Sequence, residues 1–351
     1  MTAEGGGAEE PVVVQRPVRG GLLLSHARTW RVYESATYGL LGLAGAYAGG
    51  VGAGRTPGAG ALLGVWGVCT LGGIGGAYLG DYLGRDIDAA GKPHRPIPSG
   101  ALRPSHALAA AVVCIATALV WALLLDWRAP VVLAGAFGLH LVYHRRLKTA
   151  GLVGDVTEGT ATLAGLVLFG AAAVHEPASP AVWPVAGAAA VHGTLYNLFL
   201  AIGDAEGDRL ARCLTLPVRR GSRVATTVAA LLVVPWLGAV WWAAAVAGPV
   251  PGAATAAAWL CLALATACDG VSVARLVRQA RVPGGPPRRS ALFAAESNLA
   301  ARSLAACAYL FLAGGAAAGS VAAVAALLVV LAAGRHQMTR YELGVPPTGP
   351  G

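Results

Sequence analysis

Hydrophobic residues come in long uninterrupted runs, with polar and charged residues confined to the short segments between them. Nine apolar stretches, at approximately 34–53, 60–81, 106–125, 129–146, 152–173, 181–203, 223–247, 252–275 and 299–332, are each long enough to cross roughly 30 Å of hydrocarbon as a helix. None shows the ten-residue alternation of a membrane β-barrel. The pattern therefore predicts an all-α polytopic bundle of about nine transmembrane helices. Residues 1–30 are expected to form a disordered cytoplasmic arm without a cleavable signal peptide, residues 31–334 the membrane-embedded domain, and residues 335–351 a short tail.

Composition excludes an ordinary soluble domain: 56% of the 351 residues are hydrophobic, only 12% are charged, and the mean hydropathy is +0.61. The 49 glycines, with abundant alanine, suit close approach of transmembrane backbones. Six cysteines (Cys69, Cys114, Cys213, Cys261, Cys268 and Cys307) are dispersed without a Cys-x-x-Cys pair, which argues for reduced thiols and against a thiolate metal site.

Charge gives an independent test of the helix count. If the nine stretches span, 22 of the 26 Lys and Arg residues fall in alternate loops and the N-terminal arm, leaving Arg55, Arg128, Arg335 and Arg340 for the other side. Positive charge marks the cytoplasmic face. The expectation is thus a multi-pass cell-membrane protein with a cytoplasmic N-terminus and an external C-terminus. Its net charge of +9 then needs no nucleic-acid partner, and membrane lipid is the expected environment.

Candidate chemistry concentrates at the ends of two apolar stretches. The first carries Asp81, Asp86 and Asp88, followed by a proline-rich loop with Lys92, Arg95 and Arg103. Asp81 and Asp88 are seven apart and share a helix face, whereas Asp86 points elsewhere. The second carries Asp204, Glu206 and Asp208, followed by Arg209, and Asp204 and Asp208 share a face at four residues' spacing. Both clusters are predicted on the cytoplasmic side. Helix-end charges can be a solvated polar cap, but two acid sets with adjacent cations on one side fit a divalent metal and a diphosphate.

Other polar residues take blander readings. Arg145 and Arg146 are read as topology anchors. Asp155 and Glu158 are read as acids at a helix N-terminus, His140, His144 and His192 as structural or interfacial residues without metal spacing, and Trp236, Trp241 and Trp242 as an interfacial belt. Asp269 would cost roughly 3 kcal/mol at a membrane centre, so a pore-facing or near-interface position is expected.

With these residues in view, the chain resembles the UbiA superfamily of intramembrane prenyltransferases over roughly residues 28 to 310. The family's first motif, Asn-x-x-x-Asp-x-x-x-Asp, precedes a loop ending in Arg-Pro-Ile-Pro-Ser-Gly, and here Asp88 precedes Arg95-Pro96-Ile97-Pro98-Ser99-Gly100. The second motif is matched by Tyr196, Asp204, Glu206, Gly207, Asp208 and Thr215-Leu216-Pro217-Val218. Gly80 and Gly84 stand where the first motif has Asn and Asp, and Leu200 and Ala201 where the second has Lys and Asp.

The resemblance implies transfer of a polyprenyl group from a prenyl diphosphate to an aromatic or other lipophilic acceptor. It implies Mg2+ held by Asp81, Asp88, Asp204 and Asp208, with Asp88, Asp204, Asp208 and Tyr196 catalytic. Asp81, Lys92, Arg95, Lys148 and Asp155 would bind substrate. A non-catalytic prenyl-lipid-binding or scaffold protein of the same fold is the alternative, on the strength of the four departures. A transporter is weaker, since no pair of interrupted helices in inverted halves is evident. Sequence leaves the oligomeric state open.

Overall fold

A computed structural model describes residues 21–247, 252–282, 285–329 and 335–344. Among these residues the chain is helical without strands. Lipid offers backbone groups no hydrogen-bond partners, and a helix satisfies them within one segment. In chain order the elements are α1 (Leu22–Thr29), α2 (Val32–Gly52), α3 (Ala59–Gly91), α4 (Pro104–Leu125), α5 (Ala129–Val142), α6 (Leu152–Gly159), α7 (Gly165–Ala173), α8 (Val182–Leu210), α9 (Leu216–Ala247), α10 (Ala253–Ala280), α11 (Arg288–Val329) and α12 (Arg335–Leu343). A π-helical turn over Tyr143–Leu147 extends α5, and another over Thr160–Ala164 joins α6 to α7.

Among the described residues seven helices are long and apolar enough to cross a membrane: α3, α4, the continuous α6–α7 segment, α8, α9, α10 and α11. The first and fourth predicted stretches are occupied by α2 and α5, which are not among the seven. The first turns of α2 bury Tyr33, Glu34, Ser35, Thr37 and Tyr38, a polar surface that faces other helices rather than lipid. Helices α2 and α7 pack together near the centre, α3 against α2 and α4, α8 against α9, and α10 against α11. Pairing at the two ends of the bundle follows the alternation of charge. Arg55 pairs with Glu176 at 2.7 Å and Asp126 with His175 at one end, while Lys92, Arg95, Arg288 and Asp204 gather at the other.

Close helix approach also shapes the site, where α3 and α8 end. A Cβ on Gly207 would lie 2.8 Å from the Gly91 Cα, nearer than real Cβ atoms come to backbone. Glycine at both positions therefore lets the two acidic helix ends touch.

Three expectations change at the chain's ends. Of the arm expected to be disordered through residue 30, residues 1–20 lie outside the described residues, and Leu22–Thr29 is helix α1, tied to α3 by His26 and Trp30 on the Tyr78 hydroxyl at 2.6 and 2.8 Å. The ninth stretch is not one straight crossing: α11 breaks at Gly315, whose φ of 79° only glycine adopts without strain, and Gly319 beyond it comes back against the Phe311 ring. The segment from 335, read as a short tail, is instead helix α12, with Tyr341 and Glu342 buried beside Lys92, Arg95 and Arg288. The described C-terminal residues, Arg340 included, thus lie at the same end as the acid clusters and not at the opposite end.

Candidate active site

The loop after α3 is built to fold back. Pro96 and Pro98 fix φ in their own residues, the Leu102 amide closes onto the Pro96 carbonyl at 2.8 Å, and the Arg95 amide onto Lys92 at 3.0 Å. This turns Lys92 and Arg95 inward, and both are buried. Arg95 donates to Asp88 at 2.9 Å and to Glu342 at 2.7 Å, while its guanidinium carbon stands 4.4 Å over the Tyr341 ring. Lys92 reaches Asp204 at 2.5 Å and also pairs with Glu342, and Arg288 donates to Asp204 at 3.2 Å. Burial disfavours charge on Arg95, but Asp88, Glu342 and the Tyr341 hydroxyl outweigh it and hold its pKa above the ordinary arginine value. Burial likewise pushes the Glu342 carboxyl up, and Arg95, Lys92 and Arg31 override it, leaving that carboxyl well below the usual range.

Asp81 lies on the same buried face of α3 as Asp88. It accepts from Arg31 at 2.5 Å and from the Tyr341 hydroxyl. Asp86 is exposed, as its position on the helix requires. Asp208 accepts from the Thr215 hydroxyl at 3.0 Å, and Asp155 takes a hydrogen bond from Asn197 at 3.1 Å while its second oxygen is buried without a partner. These groups line one cavity of about 650 Å3. All nine sequence-derived candidates, Asp81, Asp88, Lys92, Arg95, Lys148, Asp155, Tyr196, Asp204 and Asp208, contribute to its wall. Deeper in the bundle the wall becomes apolar at Leu133, Phe137, Leu163 and Leu166.

Gly80 and Gly84 leave volume that other helices fill. A Cβ on Gly80 would sit 3.0 Å from His144 Nε2, and one on Gly84 3.0 Å from Lys148 Nζ. The π-helical turn supplies this reach, since the Lys148 amide bonds back five residues to Tyr143 at 2.8 Å and rotates the end of α5 toward α3.

Several bland readings need correcting. Asp155 does stand in the first turn of α6, but neither acid makes a capping hydrogen bond: Asp155 bonds Asn197, and Glu158 accepts from His140 at 2.9 Å and Thr162 at 3.0 Å. His140 and His144 sit four apart on one face, and together with Glu158 they bring ligand atoms within 4.8 Å of one another. Asp269 is neither pore-facing nor interfacial. It is fully buried, bonded to His192 at 2.9 Å and to Asn298 at 3.4 Å, which offsets its burial cost within the bundle. Trp236 is buried against the His192 ring, whereas Trp241 and Trp242 are exposed as a belt requires.

Residues that sequence reasoning missed complete the wall. Arg302, counted among loop cations, lies inside α11, buried with its guanidinium carbon 5.7 and 5.4 Å from the rings of Tyr38 and Tyr196. Arg31, Arg288 and Glu342 also line the cavity and come from elements far from either acidic motif, with Tyr341 packed against Arg31 and Arg95. Burial among opposite charges is their signal, and it is absent from local sequence.

Acids and cations interleaved over one membrane cavity match a known pattern. The model of the UbiA prenyltransferase family covers residues 39–281. The chain belongs to this family. A relative from Halobacterium salinarum named digeranylgeranylglyceryl phosphate synthase is 34% identical over 244 residues, which is 69% of this chain and 82% of the relative. One of the same name from Thermococcus gammatolerans is 33% identical over 205 residues, 57% of this chain and 70% of the relative. A UbiA homologue of known structure from Aeropyrum pernix superposes with a TM-score of 0.59 at 16% identity, covering 80% of this chain and 97% of its own. Another, from Archaeoglobus fulgidus, solved with DMAPP and Mg2+, gives 0.55 at 14% identity over 86% and 99%. These structures share the UbiA fold with this chain.

The donors present suit magnesium. Asp88, Asp204 and Asp208 offer only oxygen, while Asp81, the fourth candidate ligand, is engaged by Arg31 and Tyr341. Mg2+ is usually held by one or two carboxylates plus substrate phosphates, so the acids need not converge on a single protein cage.

Proposed function

We propose that this UbiA-family chain transfers a polyprenyl group from a prenyl diphosphate to a lipophilic acceptor within the membrane. The observation that carries the reading is the placement of both acidic helix ends and the cations Lys92, Arg95, Lys148 and Arg288 on one cavity whose inner wall is apolar. Diphosphate oxygens would take charge-assisted hydrogen bonds from these cations, Arg95 being able to present its planar fork. Asp88, Asp204 and Asp208 would hold Mg2+, which when bound supplies neutralisation of the charge that collects on the departing diphosphate. The prenyl tail would lie toward Leu133, Phe137, Leu163 and Leu166, where apolar side chains exclude water from the reactive allylic carbon.

Tyr196 lies eight residues before Asp204 on α8, about 12 Å deeper at 1.5 Å per residue. There it stacks with Arg302, next to Tyr38. This deeper polar layer would meet the acceptor, with the Tyr196 hydroxyl positioning it. The names of the relatives support a prenylated glycerophosphate as that acceptor. Purified protein incubated with radiolabelled geranylgeranyl diphosphate, Mg2+ and a panel of glycerophosphate and aromatic acceptors tests this. Label should enter the glycerophosphate lipid, and label entering only an aromatic acceptor would replace the acceptor assignment.

A second reading has its own support. Gly80, Gly84, Leu200 and Ala201 remove ligands found in the family motifs, and Asp81, Asp88 and Asp204 are each paired with cations. A non-catalytic prenyl-lipid-binding protein would bind the diphosphate in the same assay without forming any labelled product.

A further inference from the structure

We infer that His140, His144 and Glu158 form a second divalent-metal site, selective for a borderline first-row ion such as Zn2+, on the wall of the cavity and distinct from the aspartate set. One ligand atom from each residue lies within 4.8 Å of the others. Tetrahedral zinc with bonds near 2.0–2.1 Å places its ligands about 3.3 Å apart, so closure asks the longest separation to shorten by roughly 1.5 Å, which rotation about side-chain bonds supplies. His140 Nδ1 already stands 2.9 Å from Glu158. His144 Nδ1 is buried and has no hydrogen-bond partner, a cost that a ligand would remove.

The local fold explains how the set is assembled. His140 and His144 are one turn apart at the end of α5, and the π-helical turn that begins at Tyr143 sets the direction of the His144 ring. Glu158 comes from α6, with its second bond to Thr162 fixing the carboxylate. Gly76 and Gly80 on α3 leave the imidazoles room, a Cβ at either position coming within 4.0 Å of a histidine ring. All three ligands line the cavity, so the ion would keep one coordination position open toward it.

Ligand chemistry selects the ion. Two imidazoles and one carboxylate suit zinc and its first-row neighbours, whereas magnesium and calcium take oxygen. Lys148 and Arg31 stand close enough to His144 to oppose a cation electrostatically. Nitrogen coordination has to outweigh that repulsion for the ion to bind.

The test uses full-length protein in detergent, stripped with a chelator and titrated with Co2+ or Zn2+ alone. It requires no turnover, so its failure is separate from failure of the transferase reading. Wild-type protein should bind one Co2+ with a ligand-field spectrum of mixed nitrogen and oxygen donors. Asp204→Asn/Asp208→Asn should keep that spectrum, and His140→Gln/His144→Gln and Glu158→Gln should each lose it with at least tenfold weaker binding. X-ray absorption of the zinc-loaded wild type should show nitrogen scatterers near 2.0–2.1 Å, which decides the matter even where a histidine variant does not fold. Absence of bound Co2+ or Zn2+, an all-oxygen shell, or binding lost only with the aspartate variant would overturn the site.

Discussion

Glu342 lies 247 residues beyond Arg95 in sequence yet accepts from its Nη2 at 2.7 Å, and the same carboxylate pairs with Lys92. A helix-borne carboxylate therefore occupies the cations that the proposed function assigns to the diphosphate. The two anions contend for one corner of the cavity. Glu342→Gln should tighten binding of a prenyl diphosphate by about tenfold, the worth of one charge-assisted hydrogen bond, as read by titration calorimetry. Unchanged or weaker binding would mean that Glu342 shapes the corner without competing for it.

Acid should act through the same residue. Its carboxyl is held below its ordinary value in the folded protein, so the stability it contributes is present above the unfolded pKa, about 4.3, and is lost as pH falls toward the depressed folded value. Thermal unfolding of detergent-solubilised protein should show the stability margin of wild type over Glu342→Gln holding above about pH 5 and shrinking below that.

Steric contact between α3 and α8 should prove more sensitive than polar contact. Gly207→Ala puts a methyl 2.8 Å from the Gly91 backbone and should cost about 1–3 kcal/mol, read as a lower unfolding temperature. Diphosphate affinity should fall with it, since Asp88 and Asp208 flank these glycines. Gly187→Ala, where nothing lies within 4 Å, should change neither.

Asp269 separates stability from chemistry. It is fully buried with His192 and Asn298, away from the cavity wall, so Asp269→Ala should destabilise by about 3 kcal/mol while leaving diphosphate affinity within about twofold. A selective loss of binding would place this triad in the functional machinery.

Sequence made the class, the positions of the apolar stretches and the acid-bearing helix ends legible, because hydropathy and spacing are local properties. The nine candidates from Asp81 to Asp208 could be found since each sits in a motif or beside one. Glu342 could not, because it follows the last apolar stretch and owes its place to a break at Gly315 that one glycine among 49 does not announce. Arg302 was miscounted for a related reason: a lone arginine near a predicted helix start reads as a loop anchor until the rings of Tyr38 and Tyr196 are seen around it. His140 and His144 read as lacking metal spacing because two residues four apart make no set alone, and Glu158, the third member, comes from another helix 18 residues beyond His140. A cross-helix set of that kind shows only in three dimensions.

Single-turnover transfer with radiolabelled geranylgeranyl diphosphate, run beside a binding measurement in wild type and in Asp208→Asn, tests the central claim most directly. Wild type should form labelled prenyl product in Mg2+ and none after chelation, and the variant should bind diphosphate yet transfer at least about 100-fold more slowly, a barrier increase of about 2.7 kcal/mol. Diphosphate bound by wild type with no product from any acceptor, in Mg2+ and without it, would contradict the account and leave the family fold serving as a lipid binder.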